Sequence, residues 1–157
     1  MGWRDLLTGA PKVSSRAAVQ THAAIELLLE GDERVEAVGE SHYQPALLRC
    51  CGARRGDEVR FGCRARLVPE PSNPYDRNAV AVQVDGEHVA YLAREDAARW
   101  QPLLLKLATA GQVAACEAVI AARGARGDTD NLGIFLHLPP LDEARTQLAV
   151  RRAQLGR

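Results

Sequence analysis

The sequence predicts a mainly β domain with peripheral helices, an α+β chain built on a small barrel of about six strands. Three observations carry that expectation. Residues 58–68 alternate, with Val59, Phe61, Cys63, Ala65 and Leu67 on one face and Arg60, Arg64 and Arg66 on the other. Asp85-Gly86 separates two apolar runs at the spacing of a two-residue hairpin turn. Two more apolar runs, 112–122 and 131–138, flank the loop Arg123-Gly124-Ala125-Arg126-Gly127-Asp128, and Pro139-Pro140 closes the second.

In chain order, residues 1–12 hold Trp3, Leu6 and Leu7 without a clear period. Ser14 and Ser15 are N-cap residues for a helix running to about residue 30, with Ala18, Ile25, Leu28 and Leu29 as its apolar face and Gly31 at the C′ position. Residues 35–41 read as a strand. Residues 44–51 read as a short helix, with Pro45 in its first turn and Gly52 closing it. After the basic turn 53–57 and the alternating strand, residues 79–84 and 87–92 form the hairpin. A helix follows over 94–108, with Trp100, Leu103, Leu104 and Leu107 at helical spacing and Pro102 as an expected kink or break. The last helix spans 142–155, acids leading and Arg151-Arg152 trailing, as the helix dipole favours. Its Leu141, Ala144, Leu148 and Leu155 are set to face either the domain or a partner. The expected division is an N-terminal helical extension at 1–33, a β domain at 34–139 and a C-terminal helix at 140–157.

Composition narrows the function. The 157 residues carry 20 Lys+Arg against 20 Asp+Glu, so any nucleic-acid site is a local patch and not a whole-chain field. Between Arg49 and Arg77 seven arginines face four acids, Asp57, Glu58, Glu70 and Asp76, a local excess of three. The arginine row of 58–68 is either a solvated exterior or a phosphate track. Cys50, Cys51, Cys63 and Cys116 form no Cys-x-x-Cys pair, and no His stands at finger spacing, so no metal site is expected. No signal-peptide pattern and no apolar run of membrane-spanning length occurs, and the expected location is the cytoplasm with no membrane partner.

The most informative stretch is Leu67-Val68-Pro69-Glu70-Pro71-Ser72-Asn73-Pro74-Tyr75-Asp76-Arg77-Asn78-Ala79-Val80-Ala81-Val82. Three prolines stiffen the loop, and Asn73 and Asp76 are placed to hydrogen-bond its backbone. A rigid loop presenting a tyrosine ring beside a carboxylate suits either a well-formed turn or a binding site.

Residues 70–82 resemble the signature of the HIRAN domain. Val38-Gly39-Glu40-Ser41-His42-Tyr43 upstream resembles that family's first strand and aromatic segment, and Asp85-Gly86-Glu87-His88-Val89-Ala90-Tyr91-Leu92 resembles its hairpin. The similarity covers roughly residues 35–138, and all three tyrosines, Tyr43, Tyr75 and Tyr91, fall inside the matching segments. The resemblance implies an OB-like barrel and a non-catalytic module that binds single-stranded DNA at a free 3′-hydroxyl end, in DNA repair or replication restart, with a repair or helicase protein as a second partner. On that resemblance Tyr75 stacks on the terminal base and Asp76 accepts the 3′-hydroxyl. His42 stands at an aromatic position of eukaryotic relatives, Ser41 at a basic one, Leu132 at a second aromatic one, and Arg94 matches a basic one. With Arg60, Arg64 and Arg66 from the alternating strand, the candidate contact set is Tyr75, Asp76, His42, Tyr43, Asn73, Tyr91, Arg94, Arg60, Arg64 and Arg66.

Enzyme readings find little support. No Gly-x-x-x-x-Gly-Lys-Ser/Thr loop is present, so the chain is not itself the ATPase that often carries this domain. No spacing favours a nucleophile from Cys50, Cys51 or Cys63 with His42, and Glu70, Asp76 and Asn78 lack a calcium-loop pattern. No cofactor is expected. The alternative, from a different class, is a protein-interaction adaptor that uses the barrel as scaffold and the terminal helices, with Trp3 and the Leu141–Leu155 face, as docking surface.

Overall fold

The computed structural model describes residues 24–54, 58–122 and 131–156. Seven strands form one sheet: β1 (Ile25–Leu29), β2 (Glu33–Glu36), β3 (Arg60–Pro69), β4 (Val80–Val84), β5 (Glu87–Tyr91), β6 (Gln112–Ala122) and β7 (Leu132–Leu138). The helices are α1 (Gln44–Cys51), α2 (Arg94–Thr109) and α3 (Leu141–Leu155), with a 3-10 turn at Glu40–His42. The sheet order is β2-β7-β6-β3-β4-β5, and β1 pairs with β6. The central strand β6 thus has β3 along one edge, while β1 and β7 share the other.

The mostly antiparallel, roughly OB-like sheet with peripheral helices agrees with the expected class. Three features differ from expectation. The strand expected over 35–41 is β2 at Glu33–Glu36, and Glu40–His42 is a 3-10 turn instead. The end strands β2 and β5 share no ladder, so the sheet does not close; its two ends meet at one bridge, where Val38 and Tyr91 exchange N–H···O bonds of 2.8 and 2.9 Å. Residues 25–29, expected at the end of a helix, form β1 instead, paired in parallel with Gln112–Cys116 of β6. Leu27 and Leu29 are buried while Glu26 and Leu28, before and between them, are half-buried, and this period of two overrides the helical spacing. The earlier part of that helix, its caps Ser14 and Ser15, and Trp3 lie outside the described residues.

Gly31 is not a helix cap. A Cβ there would lie 2.0 Å from the Pro139 nitrogen, so the backbone of the β1–β2 link runs against the end of β7. Asp85 and Gly86, both at positive φ, make the expected hairpin turn. Helix α2 continues through Pro102. Residue 102 is exposed, and the buried stripe Ala97, Trp100, Leu104 and Leu107 packs on the sheet, which outweighs the roughly 3 kcal/mol that an interior proline costs.

The core lies between one side of the sheet and α2, with Leu67, Val82, Ile120, Ile134 and Leu136 fully buried. Helix α3 seals the open edge of β1. The Gln147 amide accepts from Glu30 N at 2.9 Å and donates to Glu30 O at 2.7 Å, and Arg151 Nε donates to Leu28 O at 2.5 Å. Ala144 and Leu148 are buried beneath it. The apolar face that the adaptor reading assigned to a partner is therefore largely occupied by the domain itself.

Candidate nucleic-acid interface

The loop after β3 is held by its own polar groups. Glu70 N bonds Ala79 O at 2.8 Å and closes its base. Asn73 Oδ1 accepts from both Tyr75 N (2.9 Å) and Asp76 N (3.1 Å), an Asx turn that fixes the backbone beneath the tyrosine. Asp76 Oδ1 accepts from Asn78 N at 2.9 Å, and Gln101 of α2 donates to the Arg77 carbonyl. With the backbone pinned in this way, the Tyr75 ring is 88% exposed. The second carboxylate oxygen of Asp76 points toward Arg94 Nε at 3.6 Å, a loose pair in which the Arg94 side chain is 80% exposed.

A second aromatic group stands where the two ends of the sheet meet. Tyr43 stacks on His88 with ring centroids 4.4 Å apart, and Tyr91 meets His88 edge-on at 4.5 Å. The exposed ring of His42 lies 6.5 Å from that of Tyr43. His88 Nε2 is 2.9 Å from Ala90 O, so this nitrogen carries the proton and Nδ1 keeps its lone pair. Burial lowers the His88 pKa below the ordinary imidazole value, partly offset by the Glu70 charge. Burial, followed by its hydrogen bond to Glu70, raises the Tyr91 phenol.

Glu70 joins the two groups. It meets the Tyr91 hydroxyl on one side and accepts from Asn73 Nδ2 at 3.2 Å on the other. A polar chain thus runs from Tyr91 through Glu70 and Asn73 to the backbone of Tyr75 and Asp76.

The arginine row lies on the same side of the sheet as the aromatic group, away from Leu67 and the core. The register sets Arg66 of β3 opposite Gln83 of β4, and Gln83 opposite His88 of β5, so one cross-strand row leads from the arginines to the aromatic group. The row is not bare, however. Arg64 and Arg66 grip Glu26 of β1 at 3.2 and 2.9 Å, and Arg64 lies 3.8 Å from Glu117. Arg60 is exposed at the far end of β3.

Of the residues singled out from sequence, Asn73, Tyr75, Asp76 and Arg94 come together at the loop. His42, Tyr43 and Tyr91 come together at the sheet ends, and the arginines spread along β3. Leu132 is fully buried, and its N–H and C=O pair with the Gln44 side chain at 2.8 Å each, so it offers no surface to a base. Two members were not foreseen. His88 was masked by strand alternation, and Glu70 had only its place in the motif to mark it.

Other chemistries are poorly served. Burial foremost pushes the thiols of Cys50 and Cys116 up to about 12 and that of Cys63 up to about 11, far from nucleophilic thiolates. Among the described residues no group of three or more His, Cys, Asp or Glu is arranged to hold a metal ion, and no helix is long and apolar enough to cross a membrane. A cleft of about 260 Å³ between β2, α2 and the start of α3 is lined by Glu33, Asp96, Arg99, Trp100 and their neighbours.

The HIRAN domain family model matches residues 31–137. The crystal structure of the HIRAN domain of human HLTF is similar over 76% of this chain and 83% of its own, at 20% identity and a TM-score of 0.39. No curated protein matches. With two thirds of its length matched, the chain belongs to the HIRAN domain family, a family of nucleic-acid-binding modules.

Proposed function

We propose that this domain binds single-stranded DNA at a free 3′-hydroxyl end and presents that end to a repair or replication-restart partner. The observation that carries the reading is the Tyr75 ring, 88% exposed on a backbone fixed by Asn73. A ring held outward by a stiff loop loses little entropy when a base stacks on it, and such stacking contributes about 1 to 3 kcal/mol per base. Beside it, Asp76 offers one carboxylate oxygen whose described partner is the loose Arg94 contact. A carboxylate repels a phosphodiester but accepts a hydroxyl. The pair therefore suits a chain terminus, with the 3′-hydroxyl on Asp76 and the last phosphodiester on Arg94. Tyr43, His88 and Tyr91 supply an apolar and aromatic surface for the preceding nucleotides, with Arg66 behind it.

Matched short strands ending in a 3′-hydroxyl or a 3′-phosphate, measured by fluorescence anisotropy at two salt concentrations, test this. The hydroxyl end binds more tightly, and Asp76→Ala erases the difference while leaving salt-dependent binding. Equal affinity of the wild type for both ends, or an unchanged preference in Asp76→Ala, overturns end recognition. No binding by the folded protein overturns the whole reading.

A further inference from the structure

Strand β3 is ten residues long, but β4 covers only its last four, Arg66–Pro69. On the β6 side the ladder runs along Arg60–Leu67. Residues 60–65 therefore have a neighbour on one edge, and among the described residues no strand pairs with the other. The cause is local. The Asp85-Gly86 turn ends β4 at Val84, and Cys50 of α1 meets the Val84 carbonyl at 3.5 Å. Every second residue of an uncovered edge directs its N–H and C=O outward, a template for another strand.

The edge is open in space as well. Arg60, Phe61, Gly62 and Arg64 are exposed, and a Cβ built on Gly62 would meet nothing within 4 Å. We infer that residues 60–64 of β3 receive an extended, acidic segment of a partner protein, which adds to the sheet as an eighth strand. Charge selects the occupant. The side away from the core carries Arg60, Arg64 and Arg66 against Glu26 and Glu117, a surplus of one positive charge. Phe61, 37% exposed, points to the other side. The matching segment places acids opposite Arg60 and Arg64 and an apolar residue opposite Phe61. A second copy of this chain fits less well, because antiparallel pairing centred on Gly62 sets Arg60 of one copy opposite Arg64 of the other, twice. A phosphate backbone fits less well too, since nothing in DNA pairs with the outward amide edge of residues 60–65.

The full chain is titrated with a peptide of about ten residues alternating Glu and Val, a usual strand length or somewhat more, and with its Lys–Val counterpart. Amide hydrogen exchange is read in parallel. The Glu peptide binds, the Lys peptide does not, and exchange slows at residues 60–64. Gly62→Glu, placed in open space, weakens the Glu peptide about tenfold and Gly62→Lys tightens it, as rim charges do. Absence of binding, or protection elsewhere than β3, overturns the inference. Displacement of the peptide by a single-stranded oligonucleotide makes the strand a phosphate track and also overturns it. Dimerisation of the chain that the peptide cannot reverse assigns the edge to a second copy instead.

Discussion

His88 and Tyr91 are three residues apart on one strand, yet their rings meet at 4.5 Å on the same face of the sheet. Strict alternation would send them to opposite faces. The register resolves this: Ala90 pairs with Val82 but His88 pairs with Gln83, so Val89 is an extra residue in β5. The bulge returns His88 to the side of Tyr91 and lets Tyr43 stack on it. It is a bulge of the kind that re-aims a side chain beside a binding site.

Burial of His88 makes stability depend on pH. Its folded-state pKa is depressed by desolvation, against the weaker pull of Glu70. Between that value and the unfolded value of about 6.5, the unfolded chain holds more protons. The contribution of neutral His88 is therefore complete above about pH 6.5 and is lost as pH falls toward the folded pKa. Thermal unfolding from neutral to mildly acidic pH should show a falling midpoint. His88→Phe, which keeps a ring against Tyr43 and cannot titrate, should flatten the curve. An equally steep curve in the variant would assign the titration to another group.

Gly31 supports a sharper test. Any Cβ there meets Pro139 N at 2.0 Å and the Leu138 carbonyl carbon at 2.1 Å, both backbone atoms that cannot rotate away. Gly31→Ala should cost about 3 kcal/mol or more, at or above the upper end of ordinary overpacking. Urea denaturation measures it; a loss under about 0.5 kcal/mol, the scale of a surface substitution, would mean that the β1–β2 link is free to move off β7.

Residues that act through neighbours in the sequence were legible, and those that act through distant ones were not. Alternation marked β3, Asp85-Gly86 marked the hairpin, and Pro45 with Gly52 bounded α1 as observed. Ile25–Leu29 carried the spacing and flanking glycine of a helix end, but its conformation is set by parallel pairing with β6, far along the chain. His88 was hidden for the same kind of reason, because a bulge is a property of two strands. Asn73, Tyr75 and Asp76 were legible as a loop motif. Glu70 was not, because its role depends on Tyr91 across the hairpin.

The seal between α3 and β1 is a device against edge pairing. Gln147 and Arg151 satisfy the outward backbone groups of Leu28 and Glu30. Gln147→Ala removes two of these bonds and leaves the Glu30 groups to water. The expected cost is about 1 to 2 kcal/mol, with a rise in concentration-dependent association as the β1 edge is freed. Light scattering at several concentrations, beside a denaturation curve, separates the two effects. Unchanged behaviour in both would show that Ala144, Leu148 and Arg151 hold α3 without Gln147.

Tyr75 and Asn73 separate the ring from its support. Tyr75→Ala removes an 88% exposed side chain, so stability should change by less than about 0.5 kcal/mol. Affinity for a single strand should fall by the stacking energy of one base, roughly 5- to 150-fold. Asn73→Ala leaves the ring but removes the acceptor of Tyr75 N and Asp76 N and the donor to Glu70. It should cost about 1 to 3 kcal/mol of stability, and it should also weaken binding, because the ring and the Asp76 carboxylate must then be ordered by the ligand itself. Combined in one protein, the two changes should weaken binding by less than the product of their separate effects, since Asn73 acts largely through the ring that Tyr75→Ala deletes. Full multiplicativity would mean that Asn73 acts through Asp76 or on the strand directly and does not serve as the support of Tyr75.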